Sequence, residues 1–172
     1  VGLEEMDIIQ TRMSEIPVKS RVSIREEKTG IELMPQDVGI GISQTLPVII
    51  GALHIKEGTL AIEQPELHIH PALQVALGDL FISRSQASQV CFLLETHSEH
   101  LMLRFLRRIR ETDESNLPPG KDPLRPDQLA VYYVEQSKSG VSVFPIRISE
   151  DGEFIDRWPQ GFFEEREEEL LY

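Results

Sequence analysis

Residues 58–110 read GTLAIEQPELHIHPALQVALGDLFISRSQASQVCFLLETHSEHLMLRFLRRIR, and this stretch decides the fold. A short apolar strand over 59–65 runs into a polar turn. The next segment places Leu73, Leu77, Leu80 and Phe81 on one helical face. Val90 to Leu94 form a second buried strand, again ending in polar residues. The following segment is a helix with Leu101, Phe105 and Ile109 in register. Strand, helix, strand, helix in this order predicts an α/β chain with a parallel sheet covered by helices on both faces.

Working outward, "DVGIGISQTLPVIIGALH" precedes this unit. Gly39 and Gly41 break regular structure, Ser43 can cap a helix, and Pro47 then falls in its first turn, where a missing N–H costs little. That helix is expected to end near His54. Further upstream, Val22 and Ile24, then Ile31 and Leu33, alternate with polar residues around Lys28-Thr29-Gly30, a hairpin signal. Residues 1–20 read as a lead-in without clear pattern. On the other side, residues 111–127 hold four prolines and no periodicity, which predicts a surface loop or disordered insertion. Two strands follow around Ser139-Gly140, and the tail from Trp158 reads as an aromatic turn and a short acidic helix. The expected division is 1–36, lead-in and β-hairpin; 37–110, core; 111–127, Pro-rich loop; 128–172, C-terminal strands and tail.

Composition narrows the function. The chain has 172 residues, 40% of them hydrophobic and 27% charged, with a net charge of -12. These values exclude collagen-like, disordered and disulfide-scaffold classes. The acidic balance argues against a free-standing nucleic-acid binder. The single Cys excludes an internal disulfide and fits a reducing, cytoplasmic compartment. No apolar run is long enough to cross a bilayer, so no membrane partner is expected. Arg104, Arg107, Arg108 and Arg110 cluster at a helix C-terminus; the helix dipole accounts for them, and a DNA or partner contact is the alternative.

The polar residues that follow the two core strands carry the chemistry: Glu63, Gln64 and Glu66 after the first, Thr96 and His97 after the second. Ligands of open parallel sheets bind at those ends. A strand ending in a carboxylate is a common way to hold Mg2+ beside a nucleotide phosphate. An acidic residue after one strand is most often only a loop carboxylate. Two strands ending this way, about 30 residues apart as in a βαβ unit, weaken that bland reading.

The order "DVGIGISQTLPVIIGAL", "GTLAIEQPELHIHPALQ", "FLLETHSEHL" resembles the C-terminal half of an ABC-type ATPase head: signature loop, Walker B strand, D-loop and switch-His loop. Within that class it is most similar to the predicted bacterial ATPases of the AAA, overcoming-lysogenization-defect and SMC-like group. "RWPQGFFEEREEELL" resembles the tail of unknown function that closes one subfamily. The resemblance covers about residues 20–172. It implies part of a P-loop NTPase head, with ATP and Mg2+ as cofactors and a homodimer formed head to tail on ATP binding. Glu63 takes the Walker B carboxylate position. Gln64 takes the position of the catalytic Glu in many relatives, with Glu66 two residues on. His70 falls in the D-loop, and His97 matches the switch His that contacts the γ-phosphate. Gly39, Gly41, Ser43 and Gln44 match the signature loop, which caps the opposite subunit's γ-phosphate. An effector protein or DNA is a candidate partner, through an association of the family with DNA maintenance or phage defence.

Three departures modify that expectation. No GxxxxGK[ST] occurs in the chain, so the phosphate-cradling loop is expected in an N-terminal half that precedes Val1. The Walker B carboxylate is Glu, one methylene longer than Asp. Gln64 cannot take a proton at neutral pH, although it can orient water, and Glu66 could supply the base instead. Together these predict slow hydrolysis, with ATP acting mainly as a dimer clamp. Two further readings stand beside this one. His68, His70, His97 and His100, with Glu66 and Glu99, suit a Zn2+ or Mn2+ site and a metal-dependent hydrolase. A catalytically inactive interaction module would share the fold and show no turnover.

Overall fold

The computed structural model describes residues 23–25, 27, 29–138 and 140–158. The lead-in over 1–20 and the acidic helix expected after Trp158 lie outside the described residues. The chain divides into two compact units, 1–39 and 40–172.

In the first unit, β1 (Ile24–Arg25) pairs antiparallel with β2 (Glu32–Leu33), the hairpin expected around Gly30. Gly30 turns the chain at φ 71°, a value that glycine adopts without a Cβ penalty. A single 3-10 turn, Pro35–Asp37, follows.

The second unit opens with α1 (Ile40–His54). This helix starts before Ser43, so Ser43 is no cap; its hydroxyl donates to the Ile40 carbonyl at 3.0 Å. Pro47 consequently sits inside the helix, beyond the first turn, and leaves the Ser43 carbonyl without its usual donor. The buried face of α1 is made of small residues, Gly41, Thr45 and Ala52, while Ile40, Ile42, Ile50 and Leu53 are exposed.

β3 (Glu57–Glu63) then leads through a turn to α2 (Pro71–Ala87), β4 (Gln89–Glu95) and α3 (Glu99–Asp113). β3 and β4 are parallel and in register from Glu57 opposite Gln89 to Glu63 opposite Glu95. Leu60 and Ile62 from β3, with Phe92 and Leu94 from β4, point to one face. There they pack on the core of Leu77, Phe81, Ile82, Leu101, Phe105 and Ile109. The opposite face departs from expectation. Thr59, Ala61, Cys91 and Leu93 are exposed, Leu93 by 64%. The strands therefore alternate between covered and open faces, because no helix among the described residues lies over the second face. The expected cover on both faces is corrected to cover on one.

Helix contacts follow the register only in part. Leu77 and Phe81 are buried, but Leu73 is 51% exposed at the start of α2. Arg84, in the last turn of α2, donates to the carbonyls of Ala52 and Ile55 at 3.0 Å each, closing the C-terminal end of α1.

The expected loop over 111–127 is ordered. Helix α3 extends to Asp113, and Leu124 is buried in the core with 4% exposure. Its N–H donates to Thr112 Oγ1 at 3.1 Å. Beyond a 3-10 turn at Pro126–Gln128, β5 (Val131–Ser137) and β6 (Gly140–Ile146) form an antiparallel hairpin. Trp158 stands edge-on to Tyr133 and to Phe154, with centroids at 6.2 and 5.1 Å.

Among the described residues, β4 hydrogen-bonds to β3 alone and β5 to β6 alone. Between β4 and β5 runs a groove of about 1180 Å³. Phe92 and Leu94 line one wall, Val131 and Tyr133 the other, and Glu63, Glu95, Thr96 and His97 stand at one end.

The arginine cluster of α3 is used internally. Arg104 makes a two-point contact with Asp79 of α2, at 2.6 and 2.8 Å. Arg108, 1% exposed, donates to Asp79 at 2.8 Å and to the Asp122 carbonyl at 3.0 Å. It also faces Glu111 at 3.2 Å. Arg107 pairs with Glu111 and Arg110 with Glu153. The helix dipole is therefore not the whole account of this cluster: its arginines join α3 to α2, to its own turns and to the segment near Glu153, rather than making the DNA or partner contact that stood as the alternative.

Candidate functional site

The two core strands end side by side, and three links tie together the turns that leave them. Gln64 N–H donates to the Glu95 carbonyl at 2.8 Å, extending the ladder by one bond. His97 N–H donates to Glu66 Oε1 at 2.9 Å. Ser98 Oγ donates to Gln74 Oε1 at 2.6 Å, and Gln74 Nε2 donates to the Ile69 carbonyl at 3.0 Å. Ser98 also caps α3 by accepting from Leu101 N–H at 3.0 Å.

The turn after β3 is conformationally unusual. Gln64 has φ 44° and His68 φ 62°, left-handed values that disfavour residues with a Cβ. Such strain persists where the surroundings over-determine the backbone, and it concentrates at functional sites. Internal bonds fix the turn: Leu67 N–H to the Gln64 carbonyl, Ile69 N–H to the Glu66 carbonyl. Pro65 is buried between the two.

On this frame, Glu63 is exposed at the tip of β3 and Gln64 is half-buried beside it. Gln44 of α1 joins them: Gln44, Val48, Glu63, Gln64, Pro65 and Leu67 line a small cleft of about 170 Å³. His97 is exposed, with Nε2 at 3.3 Å from Glu95 Oε1. Glu66 does not face solvent with a free carboxylate; one oxygen is bonded and the other, Oε2, is buried without a hydrogen-bond partner.

The remaining candidates are placed differently. His70 is the N-cap of α2, its Nδ1 accepting from Ala72 N–H at 3.2 Å, with Pro71 as the first helical residue. Gly39 precedes α1. Gly41 is buried in the first turn of α1, where an added Cβ would lie 2.3 Å from the His68 carbonyl oxygen. Its lack of a side chain serves close packing within this chain. Ser43 lies half-buried within the same helix.

The histidines do not assemble a metal centre. No group of three or more His, Cys, Asp or Glu side chains suited to a metal occurs among the described residues. The sharing of a face by His68 and His70 presumed an extended strand, but these residues lie in a turn with His68 left-handed. The pairing of His97 with His100 presumed one helix, yet α3 starts only after the cap Ser98. The expectation of a zinc or manganese hydrolase site is corrected accordingly.

A single carboxylate at a strand end does fit Mg2+. That ion keeps several waters and is held by one or two carboxylates together with substrate phosphates. Glu63, exposed at the tip of β3, offers a carboxylate of that kind. Glu95, Gln74 and Ser98 were not anticipated as parts of the site. Ser98 carried a legible helix-start signal, since it stands just before the apolar register of α3. Nothing in the sequence marks Gln74 or pairs Glu95 with His97.

A family model described as an AAA ATPase domain matches residues 4–102, more than half of the chain. The chain belongs to the AAA ATPase domain family. Membership makes it part of an ATP-binding ATPase family, and the strand ends described above all fall within the matched span. Residues 124–171 match a second family model, described as a protein of unknown function, DUF3696. No curated protein and no solved structure matches. No helix among the described residues of this AAA ATPase domain is long and apolar enough to cross a membrane.

Proposed function

We propose that the chain is the C-terminal half of an ABC-type ATPase head that binds Mg-ATP at the ends of β3 and β4 and dimerises head to tail on binding it. The observation that carries this reading is the alignment of Glu63 with Glu95 at the ends of two parallel strands, with Gln64 and His97 in the turns just beyond. Ligands of open α/β sheets lie at such carboxyl ends.

The groove between β4 and β5 supports the reading. It has room for an extended segment, and the β4 edge that borders it has no strand partner among the described residues. An added strand running parallel to β4 would end beside Thr96 and His97. A phosphate-cradling loop at that point, supplied by the P-loop-bearing half, would complete the site.

Within the completed site, Glu63 holds Mg2+ directly or through a water. Mg2+ held there would supply charge neutralisation to the phosphates. Gln64 orients the attacking water by its amide, and since an amide takes no proton at neutral pH, turnover is slow. His97, steadied by Glu95 beside Nε2, contacts the γ-phosphate. Gly39, Ser43 and Gln44 close the nucleotide of the opposite protomer. The work driven by this cycle belongs to DNA maintenance or phage defence, with an effector protein or DNA as the partner.

Light scattering on the protein joined to its P-loop-bearing half, with and without Mg-ATP, tests the proposal. The expected result is an ATP-dependent doubling of mass, weakened by His97→Ala. Failure of ATP to bind or to change the mass would overturn it. Dimerisation without phosphate release would leave the clamp and identify an inactive ATPase.

A further inference from the structure

We propose that Glu66 is a positioning residue: its carboxylate holds the backbone of His97 in place and does not itself accept a proton from water. The proposal rests on the nucleotide-site reading above and assigns Glu66 a role within it.

The two strand-end turns reach each other across 31 residues of sequence through this contact. The charged acceptor makes it stronger than a bond between neutral groups. Its effect is local to His97. The residue before His97 on one side and after it on the other are anchored separately, since Ser98 N–H donates to Thr96 Oγ1 at 3.0 Å and Ser98 Oγ reaches Gln74. Glu66 adds a grip on the His97 amide itself, so the imidazole sits at a set height above the strand end, 3.3 Å from Glu95.

The geometry argues against a general base. A base must come within about 3 Å of the water it activates. Glu66 Oε1 is already spent on His97, and Oε2 is buried away from solvent. The turn that carries Glu66 is also locked, by its own hydrogen bonds and by the approach of α1 at Gly41 to the His68 carbonyl. Swinging the carboxylate outward would break the His97 contact.

The two roles rank conservative variants in opposite order. Gln keeps the length and an acceptor oxygen but no basicity. Asp keeps the charge but falls one methylene short of the His97 amide. The experiment therefore compares Glu66→Gln, Glu66→Asp, Glu66→Ala and His97→Ala in the full-length protein. Hydrogen exchange at the His97 amide is read without nucleotide, and ATP turnover is read across pH.

Positioning predicts that Glu66→Asp and Glu66→Ala accelerate exchange at His97 about tenfold, while Glu66→Gln leaves it within about twofold. Turnover should follow the same order, with the shape of the pH profile unchanged. In a His97→Ala background, adding Glu66→Ala should have no further effect. The proposal is overturned if Glu66→Asp outperforms Glu66→Gln and the Gln variant loses the acidic limb of the pH profile. It is equally overturned if Glu66→Ala leaves His97 exchange unchanged. Should the protein bind no nucleotide, the site reading fails, and the exchange measurements still decide whether Glu66 holds His97.

Discussion

Asp79 lies between α2 and α3 with three cations upon it, while Glu63 lies at the end of β3 with no cation paired to it among the described residues. Both are carboxylates of the same α/β unit, and the contrast separates two uses of charge. Around Asp79, Arg104, Arg108 and Lys121 approach to 2.6–2.8 Å. Burial by itself would raise the Asp79 carboxyl. The hydrogen bonds from Arg104 and Lys121, with the nearby charge of Arg108, outweigh it and leave the group below the usual carboxylate range. Such a group has its partners and has no capacity left for a ligand. Glu63 keeps its oxygens in water at the one place where a parallel sheet receives ligands. Charge that is consumed builds the fold, and charge left over builds the site.

The sharpest way to break this comparison is Asp79→Ala. It takes from Arg108, only 1% exposed, the nearer of its two carboxylates, and leaves Arg104, itself largely buried, without its ion-pair partner. Stability should fall by about 3–5 kcal/mol in denaturant melts. A loss under about 1 kcal/mol would mean that the network does not hold the two helices together. Next in size is Gly41→Ala, whose methyl would meet the His68 carbonyl at 2.3 Å. The expected cost is about 1–3 kcal/mol, from pushing α1 off the strained turn, and the same melts measure it.

Acid offers a graded test. Asp79 and Asp156 both sit below the ordinary value of 3.8, Asp156 at about 2 because of its hydrogen bonds with Arg147. Groups depressed by folding stabilise the folded state above their unfolded values and lose that contribution as pH falls through the folded ones. Stability should thus drop between about pH 4 and pH 2. Arg147→Ala should return the Asp156 carboxyl toward 3.8 in an NMR titration while leaving Asp79 low. The smallest change in stability belongs to Glu63→Gln, within about 0.5 kcal/mol. The same variant should weaken Mg-dependent ATP binding about tenfold in calorimetry. A large loss of stability with unchanged binding would place Glu63 among the structural charges.

The same contrast explains what the sequence made legible. Strands and helices carry their burial pattern in neighbouring residues, so β3, α2, β4 and α3 could be read from register alone, and Leu77, Phe81, Leu101, Phe105 and Ile109 fell inward as expected. The strand-end residues were legible by position, since a polar turn after an apolar strand needs no partner to be seen. Partners were not legible. The arginines of α3 announce a positive charge, but that Asp79 answers it depends on how α2 packs beside α3, 25 residues away at the nearest pair. Glu66 and His97 likewise meet only because two turns abut. The start of α1 is not legible in the sequence, because Ser43 has the chemistry of a cap yet lies inside the helix. Its small residues Gly41, Thr45 and Ala52 make the buried face, and small residues give hardly any hydrophobic signal. The Pro-rich segment is a loop, as its composition indicates, but composition conceals the single side chain that anchors it, Leu124.

The groove beside β4 also sets an order of events at the ribosome. Its two walls are laid down about 40 residues apart, so at about 5–20 residues per second β5 emerges roughly 2–8 seconds after β4. During that interval Phe92 and Leu94 border an edge with no second wall. A strand made earlier could dock there sideways, without having to thread between finished walls, and the arrival of the hairpin would close the slot behind it.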